Sequence, residues 1–319
     1  MRAAFLDYGT VDAGDLDVTA LRLATGDLTL HRTTDTEHVV ERLRGCDIAL
    51  INKIRLGRAQ FERLPALRLV ALAATGSDNV DIDAAREHGI GIANIRDYCT
   101  PSVAQHVFAL VLTLSRRLDR YRGLVAGGQW QAPQPFCLLD EPMVDLHGLT
   151  LGIVGYGTLG RAVAALAEAF GMNTIIARRP GGLPAPGRVP LGELLECSDV
   201  ISLHCPLTDA TRGLIDSAAL AQMRPTAILV NTARGALVDS EALARALREG
   251  VIAGAGIDVL PVEPPRACEP LLARDIPNLI LTPHVAWASV KARQQALDEL
   301  AANVVAFEGG VVRNRIDLA

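Results

Sequence analysis

Short apolar runs of strand length alternate with stretches of helical periodicity along almost the whole chain. In the first hundred residues the runs AAFLDY, CDIALIN, LRLVALAAT and IGIANI predict strands, and TEHVVERLRG and DIDAAREHG between them predict helices. Such alternation is typical of parallel βαβ units. The pattern therefore predicts a first α/β block, and this block contains no glycine-rich phosphate loop.

A second α/β block is predicted from about residue 100 to 290, with strands at LTLGIVG, NTIIA, DVISLHC, AILVNTA, IAGAGIDV and LILTPH. The segment TPSVAQHVFALVLTLSRRLDRYRGLV joins the two blocks, and it predicts one long helix with Thr100 as N-cap and Pro101 in the first turn. A last helix, VKARQQALDELAANVVAFEGG, is expected to return the chain to the first block. We therefore expect one α/β domain to be inserted in another.

An irregular, proline-rich segment covers residues 127–142 and carries Trp130 and Phe136. Large apolar side chains in an exposed arm suit a contact between subunits better than a core. The segment predicts a dimerisation arm near residues 120–147.

Composition narrows the class of protein. The chain has 319 residues, half of them hydrophobic, and 36 acidic against 31 basic residues give a net charge of −5. This balance argues against a nucleic-acid partner. The sequence contains no apolar run of the ~18 to 20 residues that a membrane span needs, and its start predicts no signal peptide, so we expect a cytoplasmic protein. The six cysteines are far apart and predict no metal site.

A glycine-rich loop opens the second block. Gly155, Gly157 and Gly160 directly follow the strand LTLGIVG and begin a helix. Glycines at this spacing permit a tight turn, close approach of the backbone to a pyrophosphate and close helix packing, while the helix N-terminus attracts the anion. The spacing alone is a weak signal, but here strand, helix and second strand are all present. The loop predicts a dinucleotide site.

The end of the second strand sets which dinucleotide is preferred. A carboxylate there accepts hydrogen bonds from the ribose of NAD, whereas this chain has Arg178 and Arg179 and no acid between Gly171 and Gly192. The positive charge favours the 2′-phosphate of NADP, with NAD as the second choice. In a chain whose bases are nearly all arginine, an ordinary surface pair remains the alternative.

Polar side chains follow three later strands, where ligands of open α/β sheets bind. They are Arg234 in LVNTARGALVD, Asp258 and Glu263 in GIDVLPVEPP, and His284 in LILTPHVAWAS. Each has an ordinary alternative as a surface arginine, a solvated acid or a loop histidine. Because all of them follow strands of the same predicted sheet, a catalytic site is the favoured interpretation.

These motifs resemble the D-isomer-specific 2-hydroxyacid dehydrogenases over nearly all of the chain, notably GIVGYGTLGRAVA, SDVISLHCPLTDATRGLID, ILVNTARGALVD, AGAGIDVLPVEPP and NLILTPHVAWAS. YCTPSVAQHVFALVLTL and HVAWAS resemble most the glycerate dehydrogenase and hydroxypyruvate reductase branch. The resemblance implies two doubly wound parallel-sheet domains, with a Rossmann cofactor domain at 99–289 inserted in a flavodoxin-like substrate domain at 1–98 plus 290–319. The arm near residues 120–147 predicts that the protein is a homodimer.

The resemblance also implies roles for individual residues. His284 would protonate the keto oxygen, Glu263 would hold it as imidazolium, and Arg234 would bind the substrate carboxylate and polarise the carbonyl. The nicotinamide would supply hydride. The implied cofactor residues are Gly155, Tyr156, Gly157, Thr158, Leu159, Gly160, Arg178, Arg179, Pro206, Thr232, Ala233 and Asp258, the last near the carboxamide.

The first block is expected to supply the other half of the pocket. In AATGSDNVD the backbone N–H groups near Thr75, Gly76 and Ser77 would receive a carboxylate, with a plain turn as the alternative. Thr75 departs from the valine of many members, which makes a side-chain contact possible. Trp287 would limit the pocket to small substrates, unless it is a core or interface residue.

The predicted function is reduction of glyoxylate or hydroxypyruvate to the D-2-hydroxy acid with NADPH. Two alternatives stay open at this point. One is a non-enzymatic, dinucleotide-sensing protein like the corepressors of this fold. The presence of Arg234, Glu263 and His284 argues against this alternative. The other is a dehydrogenase of the same fold with another 2-hydroxy acid substrate.

Overall fold

The computed structural model describes residues 1–131, 133 and 135–318. The chain forms two compact units, one made of Met1–Cys99 with Trp287–Ala319 and the other of Thr100–Ala286. The second unit is thus inserted in the sequence of the first. Each unit is built on one parallel sheet, which confirms the predicted fold class of two parallel-sheet α/β domains.

The strands are β1 (Arg2–Phe5), β2 (Asp27–Leu30), β3 (Ile48–Ile51), β4 (Leu69–Leu72), β5 (Gly91–Ala93), β6 (Thr150–Val154), β7 (Asn173–Ile176), β8 (Val200–Leu203), β9 (Ile228–Asn231), β10 (Gly254–Ile257) and β11 (Leu279–Leu281). The α-helices are α1 (Thr19–Thr25), α2 (Val39–Leu43), α3 (Arg58–Phe61), α4 (Ile82–Glu87), α5 (Thr100–Ser115), α6 (Leu118–Ala126), α7 (Thr158–Ala169), α8 (Leu191–Cys197), α9 (Ser217–Gln222), α10 (Ser240–Arg248) and α11 (Val290–Glu308).

The sheet of the first unit has the order β2-β1-β3-β4-β5 with all neighbours parallel, which is the flavodoxin-like order. Every residue of β3 and β4 is buried, because helices cover both faces of a parallel sheet and leave no solvent side. One face packs against α11 through Leu297, Leu300 and Val304.

The sheet of the second unit has the order β11-β10-β9-β8-β6-β7, again all parallel. The chain reverses its direction of travel across the sheet between β6 and β8, and this switch point is where open α/β sheets bind ligands. An isolated parallel bridge between Ala177 and Val189 places the segment before α8 beside the end of β7.

The prediction of a single long helix between the two blocks is wrong. The structure has two helices, α5 and α6, separated at Arg117, whose φ of 53° is left-handed. A left-handed residue cannot continue an α-helix, so the direction of the chain changes there. After the break, the backbone N–H of Val144 donates to the carbonyl of Ser115, the last residue of α5.

Two glycines in β10 bring α5 close to the sheet. A Cβ at Gly256 would lie 2.9 Å from Cβ of Leu110, and one at Gly254 would lie 3.2 Å from Cδ2 of Leu114. Bulkier residues would push the helix away from the sheet. Within the part of the chain that the structure describes, no helix has the length and apolar character needed to span a bilayer.

Candidate active site

The glycine-rich loop between β6 and α7 leaves open space for a ligand. Gly155 has a φ of 97°, and a Cβ there would lie 2.5 Å from the backbone nitrogen of Cys205. A Cβ at Gly160 would lie 2.2 Å from the carbonyl oxygen of Gly155, so both positions require glycine for packing. Gly157 instead meets nothing within 4 Å and is the N-cap of α7. An open backbone at a helix N-terminus fits a dinucleotide phosphate.

Two further residues of this loop, Thr158 and Leu159, begin α7 next to Gly157. Tyr156, which lies between Gly155 and Gly157, packs against the hydrophobic core of the second unit. The guanidinium carbon of Arg188 lies 4.8 Å from the centroid of the Tyr156 ring. This is the geometry of a cation–π contact. Arg188 was not predicted from the sequence, although it is a third arginine in the same acid-free stretch.

Arg178 and Arg179 follow β7, as the sequence predicted for the ribose end of the site. The backbone N–H of Arg178 donates to the carbonyl of Val189 at 2.8 Å, which fixes the backbone there. Arg178 is half-buried and Arg179 is exposed. Together with Arg188 they concentrate positive charge around the end of β7.

Unsatisfied polar atoms lie at the carboxyl ends of two neighbouring strands of this sheet. Among the described residues, Nδ1 of His204 and the hydroxyl of Thr232 are buried without a hydrogen-bond partner. Such atoms are rare in folded proteins, and an absent ligand is one explanation for them. His204 follows β8 and Thr232 follows β9, so both are at the edge where the resemblance places the cofactor. These atoms and the open space at Gly157 fit a bound dinucleotide.

Burial lowers the pKa of His204 from its ordinary 6.5 to about 4. Its Nε2 lies 2.8 Å from the hydroxyl of Ser202, and the ring is neutral at neutral pH. Pro206, two residues further on, accepts a hydrogen bond at its carbonyl from Thr211. The loop after β8 is therefore held in place by hydrogen bonds between neutral groups.

Glu263 and His284 are in direct contact. Nδ1 of the imidazole lies 2.5 Å from Oε2 of the carboxylate, and the other oxygen, Oε1, accepts the backbone N–H of Leu260 at 2.8 Å. The side chains are 32% and 28% exposed, so the pair is reachable from solvent. A carboxylate held by a backbone N–H fixes the orientation of the imidazole.

Arg234 follows β9 in a loop that is fixed by the side chain of Asn231. The amide nitrogen of Asn231 donates to the carbonyl of Arg234 at 2.9 Å, and its oxygen accepts the N–H of Ala233 at 3.0 Å. A Cβ at Gly235 would lie 2.0 Å from the carbonyl carbon of Leu260. The loop of Arg234 therefore touches the loop that leads to Glu263.

Asp258 follows β10 and is buried, and its carboxylate is bound to the loop that carries His284. Oδ1 accepts the hydroxyl of Thr282 at 2.6 Å and the N–H of Val285 at 2.9 Å, while Oδ2 accepts the N–H of Ala286 at 2.9 Å. Neither this use of the carboxylate nor any role for Thr282 was predicted from the sequence. Asp258 is near His284 because β10 and β11 are neighbours, whereas Thr282 lies two residues before His284 in the chain.

The predicted substrate residues of the first unit lie after β4 and before α11. The hydroxyl of Thr75 donates to the carbonyl of Ile95 at 2.9 Å, so this side chain ties the loop of Gly76 and Ser77 to the segment after β5. Trp287 is half-buried, and its ring makes an edge-to-face contact with Tyr98 at 6.3 Å between centroids. The structure thus shows a packing contact for Trp287.

No group of three histidine, cysteine, aspartate or glutamate side chains that could hold a metal ion occurs within residues 1–131, 133 and 135–318. The polar groups described above are arginines, a histidine–carboxylate pair and unsatisfied side-chain atoms at a sheet edge, which are kinds of group that occur in sites for small organic ligands.

Comparison with known proteins agrees with this geometry. Residues 108–286 match the model of the D-isomer specific 2-hydroxyacid dehydrogenase NAD-binding domain. The chain is 46% identical over 285 residues to glycerate dehydrogenase of Methylorubrum extorquens, covering 89% of this chain and 90% of the relative. It is 37% identical over 317 residues to hydroxypyruvate reductase of Blautia hydrogenotrophica, covering 97% and 98%.

Among solved structures, TT0316 protein from Thermus thermophilus is similar with a TM-score of 0.87 and 34% identity, covering 99% of this chain and 100% of that one. The family model spans more than half of the chain, and the relatives cover nearly all of it. The chain therefore belongs to the D-isomer-specific 2-hydroxyacid dehydrogenases, oxidoreductases that bind a nicotinamide dinucleotide.

Proposed function

We propose that this protein reduces a small 2-keto acid, glyoxylate or hydroxypyruvate, to the D-2-hydroxy acid and prefers NADPH over NADH. The contact between Glu263 and His284 is the observation that carries the proposal. It provides a proton donor whose orientation is fixed, which is what reduction of a carbonyl needs besides hydride. The names of the relatives from Methylorubrum and Blautia support the substrate class.

The proton is delivered from His284. Because Nδ1 faces Glu263, Nε2 is the ring nitrogen that protonates the keto oxygen. The negative charge of Glu263 stabilises the imidazolium before the transfer. Arg234 binds the carboxylate of the substrate and polarises its carbonyl, since the planar guanidinium offers paired donors. The backbone N–H groups of Thr75, Gly76 and Ser77 are proposed to take the carboxylate as well.

The nicotinamide supplies hydride to the carbonyl carbon when the dinucleotide is bound. Gly155, Gly157 and Gly160 would hold its pyrophosphate, with the N–H groups at the start of α7 as donors. The remaining residues assigned to the cofactor are Tyr156, Thr158, Leu159, Pro206, Thr232, Ala233 and Asp258.

Cofactor preference is assigned to the arginines at the end of β7. Arg178 and Arg179 would bind the 2′-phosphate, and Arg188 on the ring of Tyr156 adds positive charge to the same region. In a hydrogen bond from a guanidinium group to a phosphate both partners are charged, whereas the ribose hydroxyl of NADH is neutral and forms a weaker bond.

A panel of 2-keto acids, each assayed with NADH and with NADPH, tests the proposal. We expect the highest kcat/KM for glyoxylate or hydroxypyruvate with NADPH, and a product of D configuration. A protein that binds NADPH but reduces none of the keto acids would contradict the proposal and favour the dinucleotide-sensing alternative.

We also propose that the protein is a homodimer that uses the segment after α6. Phe136 is 90% exposed, Leu139 78% and Trp130 54%. Exposed apolar residues at this density on one arm fit a contact with a second copy of the chain. Sedimentation equilibrium should give a dimer for the wild type, and Phe136→Glu with Leu139→Glu should give a monomer. A monomeric wild type would contradict the proposal.

A further inference from the structure

A histidine outside the predicted site, His106 in α5, lies close to Asp258. Its position follows from how α5 runs over β10. Leu114 packs on Gly254, and Leu110 packs on Gly256. A step of four residues toward the N-terminus of α5 therefore matches a step of two residues toward the C-terminus of β10. These steps are about 6.0 Å and 6.6 Å long, which keeps helix and strand in register. The next step places His106 opposite Asp258, and the observed distance from Nε2 to Oδ1 is 3.6 Å.

The hydrogen bonds between His106, Thr282 and Asp258 run in one direction. Nε2 of His106 lies 3.1 Å from the hydroxyl of Thr282, and this hydroxyl donates its single proton to Oδ1 of Asp258 at 2.6 Å. The hydroxyl can therefore only accept from His106, so Nε2 must carry a proton. The chain of donors begins on α5 and ends on the buried carboxylate.

The carboxylate of Asp258 in turn fixes the loop that carries His284. It accepts the N–H groups of Val285 and Ala286, and the N–H of His284 itself donates to the carbonyl of Asp258 at 2.8 Å. His284 has a φ of 56°, a left-handed conformation. Outside glycine such a conformation is strained and persists only where the surroundings enforce it. The bonds to Asp258 provide that constraint.

We propose that His106 is a positioning residue for His284 and acts through Thr282 and Asp258. By donating to Thr282, His106 keeps the hydroxyl proton directed at the carboxylate, which then holds the backbone on the C-terminal side of His284. The ring of His284 thereby stays in contact with Glu263. The inference deepens the proposed function and rests on it, because it concerns the residue that the proposed reaction uses as proton donor.

The test uses substitutions that remove or keep single hydrogen bonds in the whole protein. Thr282→Val removes the hydroxyl with little change of shape, and Thr282→Ser restores it. His106→Leu removes the donor, and His106→Gln supplies an amide N–H in its place. Thr113→Val makes the same change as Thr282→Val on α5, away from this chain of bonds, and is the matched control.

Two readouts separate a positioning role from a general loss of stability. The first is the proton signal of the imidazole N–H of His284 in protein with 15N-labelled histidine, assigned by its absence in His284→Asn. We expect this signal to be lost or broadened in Thr282→Val and His106→Leu and kept in Thr282→Ser and the control. The second is kcat, which should fall at least about tenfold in the same two variants while the NADPH Kd stays within about threefold, because a displaced acid slows only the chemical step.

The inference is overturned if Thr282→Val and His106→Leu keep the imidazole signal and wild-type kcat. It is also overturned if Thr282→Ser fails to restore either readout while remaining folded, as judged by circular dichroism. A wild type that reduces no 2-keto acid would contradict the proposed function instead, and the imidazole signal would still decide whether His106 positions His284.

Discussion

Nδ1 of His284 lies 2.5 Å from Oε2 of Glu263, although the two residues are 21 positions apart and follow different strands. The contact arises because β10 and β11 are neighbours in a parallel sheet, so the loops after them leave from the same edge. It engages one nitrogen of the imidazole, so the other nitrogen is the one assigned to the substrate. The proposed proton transfer from His284 depends on this arrangement.

Glu263→Gln tests what the negative charge contributes. The amide has the same shape but cannot stabilise an imidazolium by charge, so we expect kcat to fall about ten- to a hundredfold, which is less than the ~10²- to 10⁴-fold expected when the acid itself is lost. The Kd of NADPH, measured by fluorescence, should change little. Glu249→Gln, at an exposed helix end, is the matched control. Wild-type kcat in Glu263→Gln would contradict the assigned role.

Arg178 and Arg179 should select the cofactor. Each charge-assisted hydrogen bond to the 2′-phosphate contributes ~1.5 to 3 kcal/mol, partly screened by salt, so one or two of them give a preference of roughly ten- to a thousandfold. The wild type should therefore favour NADPH in kcat/KM, less strongly as salt rises. Arg178→Asp with Arg179→Ala should reverse the preference, and Arg116→Asp with Arg117→Ala serves as the control pair. A preference for NADH in the wild type at low salt contradicts this assignment.

Replacing Trp287 tests whether its ring limits the size of the substrate. If the ring limits the substrate, Trp287→Gly should raise kcat/KM for phenylpyruvate relative to glyoxylate. The contact with Tyr98 means that the variant also loses packing in the first unit, so its unfolding should be measured in parallel. An unchanged ratio of the two substrates in a folded variant shows that the tryptophan has only a packing role.

His204 should make the protein without cofactor less stable in acid. Its pKa falls from 6.5 to about 4 on folding, so between these pH values the unfolded chain binds a proton that the folded chain does not. Its contribution is fully present above pH 6.5 and is lost as the pH falls, by about 2 kcal/mol between pH 6.5 and 5. Urea unfolding at both pH values should show a smaller loss in His204→Gln than in the wild type. Equal losses would contradict this effect of burial.

Features carried by a single strand and the loop after it could be predicted from the sequence. The glycine loop after β6, the arginines after β7 and the loops of Arg234 and His284 lie where the pattern and the family resemblance placed them along the chain. The fold class of two parallel-sheet domains followed from the same alternation of strands and helices and is confirmed. The roles of the individual residues stay predictions.

Features that depend on how separate elements pack could not be predicted. His106 meets Asp258 because Gly254 and Gly256 set the register of α5 over β10, and nothing local in the sequence of α5 shows this. Arg188 reaches the ring of Tyr156 through the bridge beside β7. The break at Arg117 is a further case, since the sequence has no glycine or proline at or directly beside residue 117 to mark the end of a helix.

The most direct test of the account is the turnover of His284→Asn with glyoxylate or hydroxypyruvate and NADPH. Asparagine cannot donate a proton as an acid, and loss of general acid catalysis lowers kcat by ~10²- to 10⁴-fold. We predict a loss in this range with NADPH binding nearly unchanged in fluorescence titration. A variant that binds NADPH and keeps more than about a third of wild-type kcat would contradict the assignment of His284 as the proton donor.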